Sequence, residues 1–213
     1  MASSAPPVAK NVTESWIFTH RSWIGVACLA PAAVAVIFSA PWLPETAPLA
    51  LFLDFVGWLL FLAYLTMRLW ATLYVGGVKD KILQTTGPYS ITRNPLYLGG
   101  LCFALSAAFF LKSISLVVLT LVASAAYVHW VVPAEEEVLE SIFGEAYREY
   151  KRRTPRMIPR FSLYTASPTV EVRLKALRTE AKRLLTATLM PILVFCLLHF
   201  RNAPWWPHWF MLP

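Results

Sequence analysis

The sequence predicts an all-α integral membrane protein with about five transmembrane helices, and three observations carry that expectation. The chain of 213 residues is 57% hydrophobic and only 15% charged, whereas soluble domains run near ~45–50% apolar and ~25% charged. Its apolar residues are gathered into charge-poor runs, and roughly 20 such residues cross a ~30 Å hydrocarbon layer. The basic residues then sort to one side of those runs. With a cytoplasmic amino terminus, alternation places every Lys and Arg except Lys112 and Arg201 inside, as the positive-inside rule requires. The same composition excludes a disordered chain. Three cysteines exclude a disulfide-stapled secreted module.

Residues 1–22 are expected to form a cytoplasmic tail, without the apolar segment of a signal peptide. Trp23 to Leu43 is the first span and carries no charge; Leu49 to Met67 is the second, with Asp54 near its entry. Residues 23–67 thus make a first transmembrane hairpin. Tyr97 to Leu111 and Ile114 to Val132 are spans three and four, split by Lys112-Ser113. Residues 68–160 hold that second hairpin with its flanking loop, a Glu-rich helix and a basic end. Residues 161–183 are expected to carry a basic amphipathic helix on the membrane surface. Its apolar face is Val170, Leu174, Leu177, Ala181 and Leu184, within residues 168–184. Residues 184–213 supply a fifth span, Leu184 to Phe200, and a Trp-rich tail suited to interfacial anchoring. Cys28, Cys102 and Cys196 all fall inside spans, where a thiol serves as a small apolar filler.

Common chemical motifs are absent. The chain has no G-x-G-x-x-G and no G-x-x-x-x-G-K-[ST], so neither dinucleotide nor P-loop binding is expected. His20, His129, His199 and His208 never fall at i,i+3 or i,i+4 spacing, so no metal site is expected. The basic balance follows membrane topology and attraction to anionic lipid rather than nucleic acid.

Two cytoplasmic stretches differ from ordinary loops. Residues 87–100, GPYSITRNPLYLGG, lead straight into span three. Asn94 before Pro95 is held away from αR, so a helix begins near Pro95. Its free N–H groups suit a carboxylate or phosphate, and Arg93 adds a fixed charge there. Gly99 and Gly100 remove side chains one turn in, so a ligand or a second helix can approach. The second stretch is Glu135-Glu136-Glu137, just below span four. Acids near a helix start favour its dipole; in an otherwise basic face they also suit a cationic group such as an ammonium or a sulfonium. Leu139, Ile142, Phe143, Ala146 and Tyr150 continue at helical spacing. Residues 151–160, KRRTPRMIPR, could meet anionic lipid heads, but a plain solvated basic end accounts for them better.

Together these stretches resemble the isoprenylcysteine carboxyl methyltransferase and phospholipid methyltransferase superfamily of integral membrane enzymes. Its first motif is matched by Gly87, Tyr89, Arg93, Pro95, Tyr97 and Gly99. The second is matched by Glu135, Glu136, Leu139, Phe143, Gly144, Tyr147 and Tyr150, followed by residues 153–159. The resemblance implies an S-adenosyl-L-methionine site at the cytoplasmic face, on the segment after the fourth span, without a Rossmann fold. Cofactor contacts would carry over to Lys81, Ile82, Leu83 and Gln84, to Tyr89, to Asn94, Pro95, Leu96 and Tyr97, and to Glu135. Glu135 and Glu136 would hold the methionine ammonium, Arg93 and the Pro95 helix start its carboxylate, and Tyr89 and Tyr97 the sulfonium by cation–π attraction. Glu136 and Arg93 are accordingly the candidate catalytic residues.

Two positions depart from the family pattern. Asn94 replaces the histidine before the proline, and Val131 replaces an arginine that handles the carboxylate of a prenylcysteine, with His129 the nearby candidate for substrate. The expected acceptor is therefore a lipophilic one left open among a prenylcysteine carboxylate, a lipid amine and a phenolic lipid. The partners are membrane lipids, and the site is either the bacterial inner membrane or the endoplasmic reticulum. Two rival expectations stand beside this one: an NADPH-dependent reductase of the related sterol-reductase fold, and a non-enzymatic membrane protein.

Overall fold

The computed structural model describes residues 30–76, 82–210 and 212. Residues 30–37 are the described part of a first helix, α1. Then come α2 (Pro48–Val75), the single turn α3 (Pro88–Ile91), α4 (Pro95–Phe110), α5 (Ile114–Phe143) and α6 (Glu145–Arg153). A 3-10 turn at Phe161–Leu163 precedes α7 (Leu174–Ala187) and α8 (Leu189–Arg201). No strand occurs among the described residues beyond an isolated bridge between Ser39 and Phe210. The all-α membrane class expected from sequence holds. α2, α5 and the joined α7–α8 are long and apolar enough to cross a membrane, and α4 is a shorter apolar helix.

At 28 residues, α2 rises ~42 Å and exceeds the ~30 Å hydrocarbon layer. Its last turns, from Arg68 onward, can therefore extend beyond that layer. α2 packs most extensively on α4. Gly57 permits this approach, since a Cβ there would lie 2.7 Å from the Phe110 ring. Further along the same seam the Tyr64 and Phe103 rings meet at 4.7 Å. The buried apolar cluster of Val36, Ala108, Phe110, Leu111, Leu116, Val194 and Leu198 joins α1, α4, α5 and α8 at the opposite end.

That end is closed by polar staples. Lys112 turns the chain between α4 and α5 with φ 52°, and Ser113 caps α5 by accepting the Leu116 N–H at 3.2 Å. The Lys112 ammonium meets Glu45 at 2.9 Å and Asp54 at 3.0 Å. Arg201 donates to the Ser39 carbonyl at 2.9 Å, and Trp206 and Trp209 stack on Phe38. The Trp-rich tail thus folds back onto residues 38–40. Lys112 and Arg201, the two cations that stand apart in the charge pattern, lie at this one end.

Several elements differ from expectation. Of the first span, residues 23–29 lie outside the described residues, and the described helix ends at 37 rather than 43. Span four and the Glu-rich helix are one continuous α5, which contains Pro133. The three glutamates are therefore mid-helix and do not face an amino-terminal dipole. The periodic pattern expected to run on to Tyr150 breaks at Gly144, whose φ of 57° ends α5 and starts α6. The basic amphipathic helix begins at Leu174 and leads directly into α8. Its inward stripe is Ala176, Leu177, Glu180 and Leu184, while Leu174 and Ala181 are exposed. An acid leads that stripe because Glu180 pairs with Arg68 of α2 at 2.6 Å.

Candidate active site

Residues 87–94 form a loop with little regular structure, held by a second strip of chain. Gly87 adopts φ 61° and ψ −131°, a combination reserved for glycine. Its N–H donates to the Thr165 carbonyl at 2.8 Å, and the Thr165 N–H returns to the Ser90 hydroxyl at 3.0 Å. The Arg93 N–H donates to the Pro155 carbonyl at 2.9 Å, and the Arg160 N–H to the Ile91 carbonyl at 2.9 Å. Thr92 and the Asn94 amide both donate to the Arg156 carbonyl, at 3.1 and 3.0 Å. The Tyr150 hydroxyl donates to the Tyr89 carbonyl at 2.7 Å. The basic, proline-containing segment, which a plain solvated end would also have explained, is the brace of this loop, and its backbone sets the start of α4.

The adjacent glutamates separate because consecutive helical residues point ~100° apart. Glu136 is buried at 3% side-chain exposure and lies between two guanidinium groups, Arg93 at 3.2 Å and Arg156 at 3.1 Å. Arg93 also donates to the Lys151 carbonyl at 3.2 Å. Glu135 turns to the first turn of α4, where it accepts the Tyr97 hydroxyl. The Tyr127 ring stands edge-on to Tyr97, with centroids 5.1 Å apart. Burial pushes the Tyr147, Tyr150 and Tyr89 phenols up.

The candidate residues are therefore brought together unevenly. Arg93, Asn94, Pro95, Tyr97, Glu135 and Glu136 converge where α4 begins and α5 leaves the apolar layer. Arg93 and Glu136 are paired with each other rather than free for two separate ligand groups. Leu96 lies half-buried in the first turn of α4. Tyr89 is engaged through its carbonyl, in α3. Ile82 is exposed, Leu83 and Gln84 are half-buried, and Lys81 lies outside the described residues. His129 is exposed, edge-on to Trp130, and has no polar partner among the described residues. Sequence reasoning missed Arg156 as a site residue; its place in the matched basic run was the signal. It also missed Tyr127, which carries none.

Chemically the site offers a carboxylate beside two aromatic rings, next to a cluster with one surplus positive charge. The Nε atoms of Arg93 and Arg156 are buried and have no hydrogen-bond partner among the described residues. Such a set can bind a zwitterion, its cation at Glu135 and its anion at the arginines. Among the described residues no group of three His, Cys, Asp or Glu could hold a metal ion.

Comparison with known proteins adds a lineage to this geometry. The phospholipid methyltransferase family model matches residues 46–146, which include the first motif and the second as far as Gly144. The chain is 33% identical over 146 residues to the nickel-cobalt-cadmium resistance protein NccN of Alcaligenes xylosoxydans xylosoxydans, 68% of each chain. It is 33% identical over 169 residues to the cobalt-zinc-cadmium resistance protein CzcN of Cupriavidus metallidurans, covering 79% of this chain and 68% of that one. Protein-S-isoprenylcysteine O-methyltransferase of Schizosaccharomyces pombe is 31% identical over 81 residues, 38% of this chain and 34% of that one. No solved structure matches. The paired motifs on the α4–α5 hairpin, the family model and the isoprenylcysteine methyltransferase relative agree: the chain belongs to the superfamily of membrane methyltransferases that includes the isoprenylcysteine carboxyl and phospholipid methyltransferases.

Proposed function

We propose that the protein transfers the methyl group of S-adenosylmethionine to a lipophilic acceptor at the cytoplasmic face of the membrane. The observation that carries this is the contact of Glu135 with Tyr97, which sets a carboxylate and aromatic faces at the first turn of α4. The residues fit the cofactor: Glu135 would hold its ammonium, and the buried, unpartnered Nε atoms of Arg93 and Arg156 its carboxylate. The sulfonium of that cofactor supplies an electrophilic methyl group. Tyr97 and Tyr127 would present their ring faces to the positive sulfur by cation–π attraction. Methyl transfer is an in-line displacement, so alignment is what the protein contributes, and alignment can supply ~7–11 kcal/mol in the best-oriented reactions. The brace of residues 155–165 is suited to that task, since it holds both the loop and Arg156.

With Val131 in place of the prenylcysteine-binding arginine, the acceptor is a lipid amine or phenolic lipid as readily as a prenylcysteine. Calorimetry in detergent tests the cofactor: S-adenosylhomocysteine should bind the folded wild type, and Glu135→Ala should lose the binding. No heat with a folded wild-type sample would overturn the reading. Mass spectrometry of membrane lipids gaining a methyl group would then name the acceptor. Two relatives carry names of metal resistance, which favours a role for the methylated product in tolerance of cobalt and cadmium. A deletion strain should lose growth on those metals, with rescue by the wild-type chain and none by Glu135→Ala.

A further inference from the structure

α7 has two faces of opposite character. Its inward face is fixed by Glu180, which accepts from Arg68 at 2.6 and 2.9 Å; the helix cannot rotate without breaking both bonds. The outward face then aligns Lys175, Arg178 and Lys182, spaced i, i+3 and i+7. All three are exposed, and none forms an ion pair among the described residues, whereas neighbouring Arg183 pairs with Glu180 at 3.4 Å. With Leu174 and Thr179 they line an open concavity of about 370 Å³.

The level of this concavity and its continuation point to one ligand class. Arg68 is the first charge after the apolar run of α2, so Glu180 beside it marks the edge of the hydrocarbon layer. Arg178 and Lys182 lie within a turn of Glu180. Along the same rows, Lys182 is followed about two turns on by Leu189, and Arg178 by Leu185 at about two turns and Ile192 at about four. These apolar residues are 51%, 72% and 57% exposed. Cationic rows thus run into apolar rows, which matches a phosphodiester with acyl chains above it and not a soluble anion. α7 packs on α2 and α8, whereas Glu135 and Glu136 stand on α5, so this face is separate from the candidate active site.

We propose that the Lys175, Arg178 and Lys182 face of α7 is a binding site for the headgroup of an anionic phospholipid. Native mass spectrometry of the full chain, released from detergent with dioleoyl phosphatidylglycerol or phosphatidylcholine, tests it. Wild type should retain phosphatidylglycerol in preference to phosphatidylcholine. Each charge removed should weaken retention about fivefold, so K175Q/R178Q/K182Q should lose the preference. R178Q alone, about fivefold weaker, serves should the triple variant not fold. R152Q/R153Q, on α6, should behave as wild type. Equal retention of the two lipids by wild type, or unchanged phosphatidylglycerol binding in the α7 variants, would overturn the proposal. So would displacement of the lipid by millimolar inorganic phosphate, which would make the face a site for soluble anions.

Discussion

The Glu136 carboxylate has given up nearly all its water for two guanidinium groups, at 3.2 and 3.1 Å. Desolvation of this kind is repaid only while the partners stay, and breaking a buried pair costs ~3–5 kcal/mol. Glu136→Gln should therefore destabilise by about that much, because Arg93, with 9% side-chain exposure, is left uncompensated. Arg156→Gln should cost less, since Arg156 keeps 39% exposure and water can replace part of what is lost. Thermal denaturation in detergent gives the order; Arg156→Gln as costly as Glu136→Gln would contradict it. The two left-handed glycines invite a similar comparison. Gly87 and Gly144 share nearly the same backbone angles, and a side chain there costs ~1–3 kcal/mol in strain. A Cβ on Gly144 meets nothing, whereas one on Gly87 would fall 2.3 Å from the Tyr74 ring. Gly87→Ala should be the more damaging in the same melts. Arg93 and both glutamates were legible as candidate site residues from their motifs. Their pairing was not, since spacing along α5 gives a direction for each side chain but not the partner it meets.

At the scale of elements, α7 is the clearest case of a helix whose orientation is set by a single distant contact. Its mixed composition permits several apolar stripes, and periodicity favoured one through Leu174 and Ala181, which the Arg68–Glu180 pair overrides. A double-mutant cycle on Arg68→Gln and Glu180→Gln should show a coupling of ~1–3 kcal/mol. Additive effects would mean that apolar packing alone seats α7. The join of α5 and α6 at Gly144 is tied by Glu140, which pairs with Arg148 at 2.9 Å and Lys151 at 3.0 Å. Hydrogen bonds from those two cations hold the Glu140 carboxyl below its ordinary value of 4.5. With its folded value depressed, this group stabilises the join above the unfolded value and loses that effect as pH falls through the folded one. Amide exchange over residues 140–153, corrected for intrinsic rates, should therefore accelerate below pH ~4.5. In Glu140→Gln the acceleration should shrink, leaving the part due to Glu149, which Arg153 depresses likewise.

For the whole molecule, the expected topology places residues 133–183 in the cytoplasm and the Trp-rich tail outside. With the native cysteines replaced by alanine, a cysteine at Asn202 should react with an impermeant maleimide on intact cells. One at Ala166 should react only after the membrane is opened. Reversal of the two would invert the protein and move the candidate active site to the outer face. The sequence alone determined the helical membrane class and the two motifs that flank the α4–α5 hairpin. These are local properties: hydropathy over ~20 residues, charge at span ends, and residue types at short spacing. Only the tertiary structure decided that Arg156 meets Glu136 across 20 residues and Glu180 meets Arg68 across 112. Likewise, only packing decided that residues 155–165 brace the loop before α4. Pairings of buried charge depend on which chain segments the packed helices bring within ~4 Å, where a low dielectric makes each partner matter. That proximity is a property of the folded bundle and leaves no period in the chain.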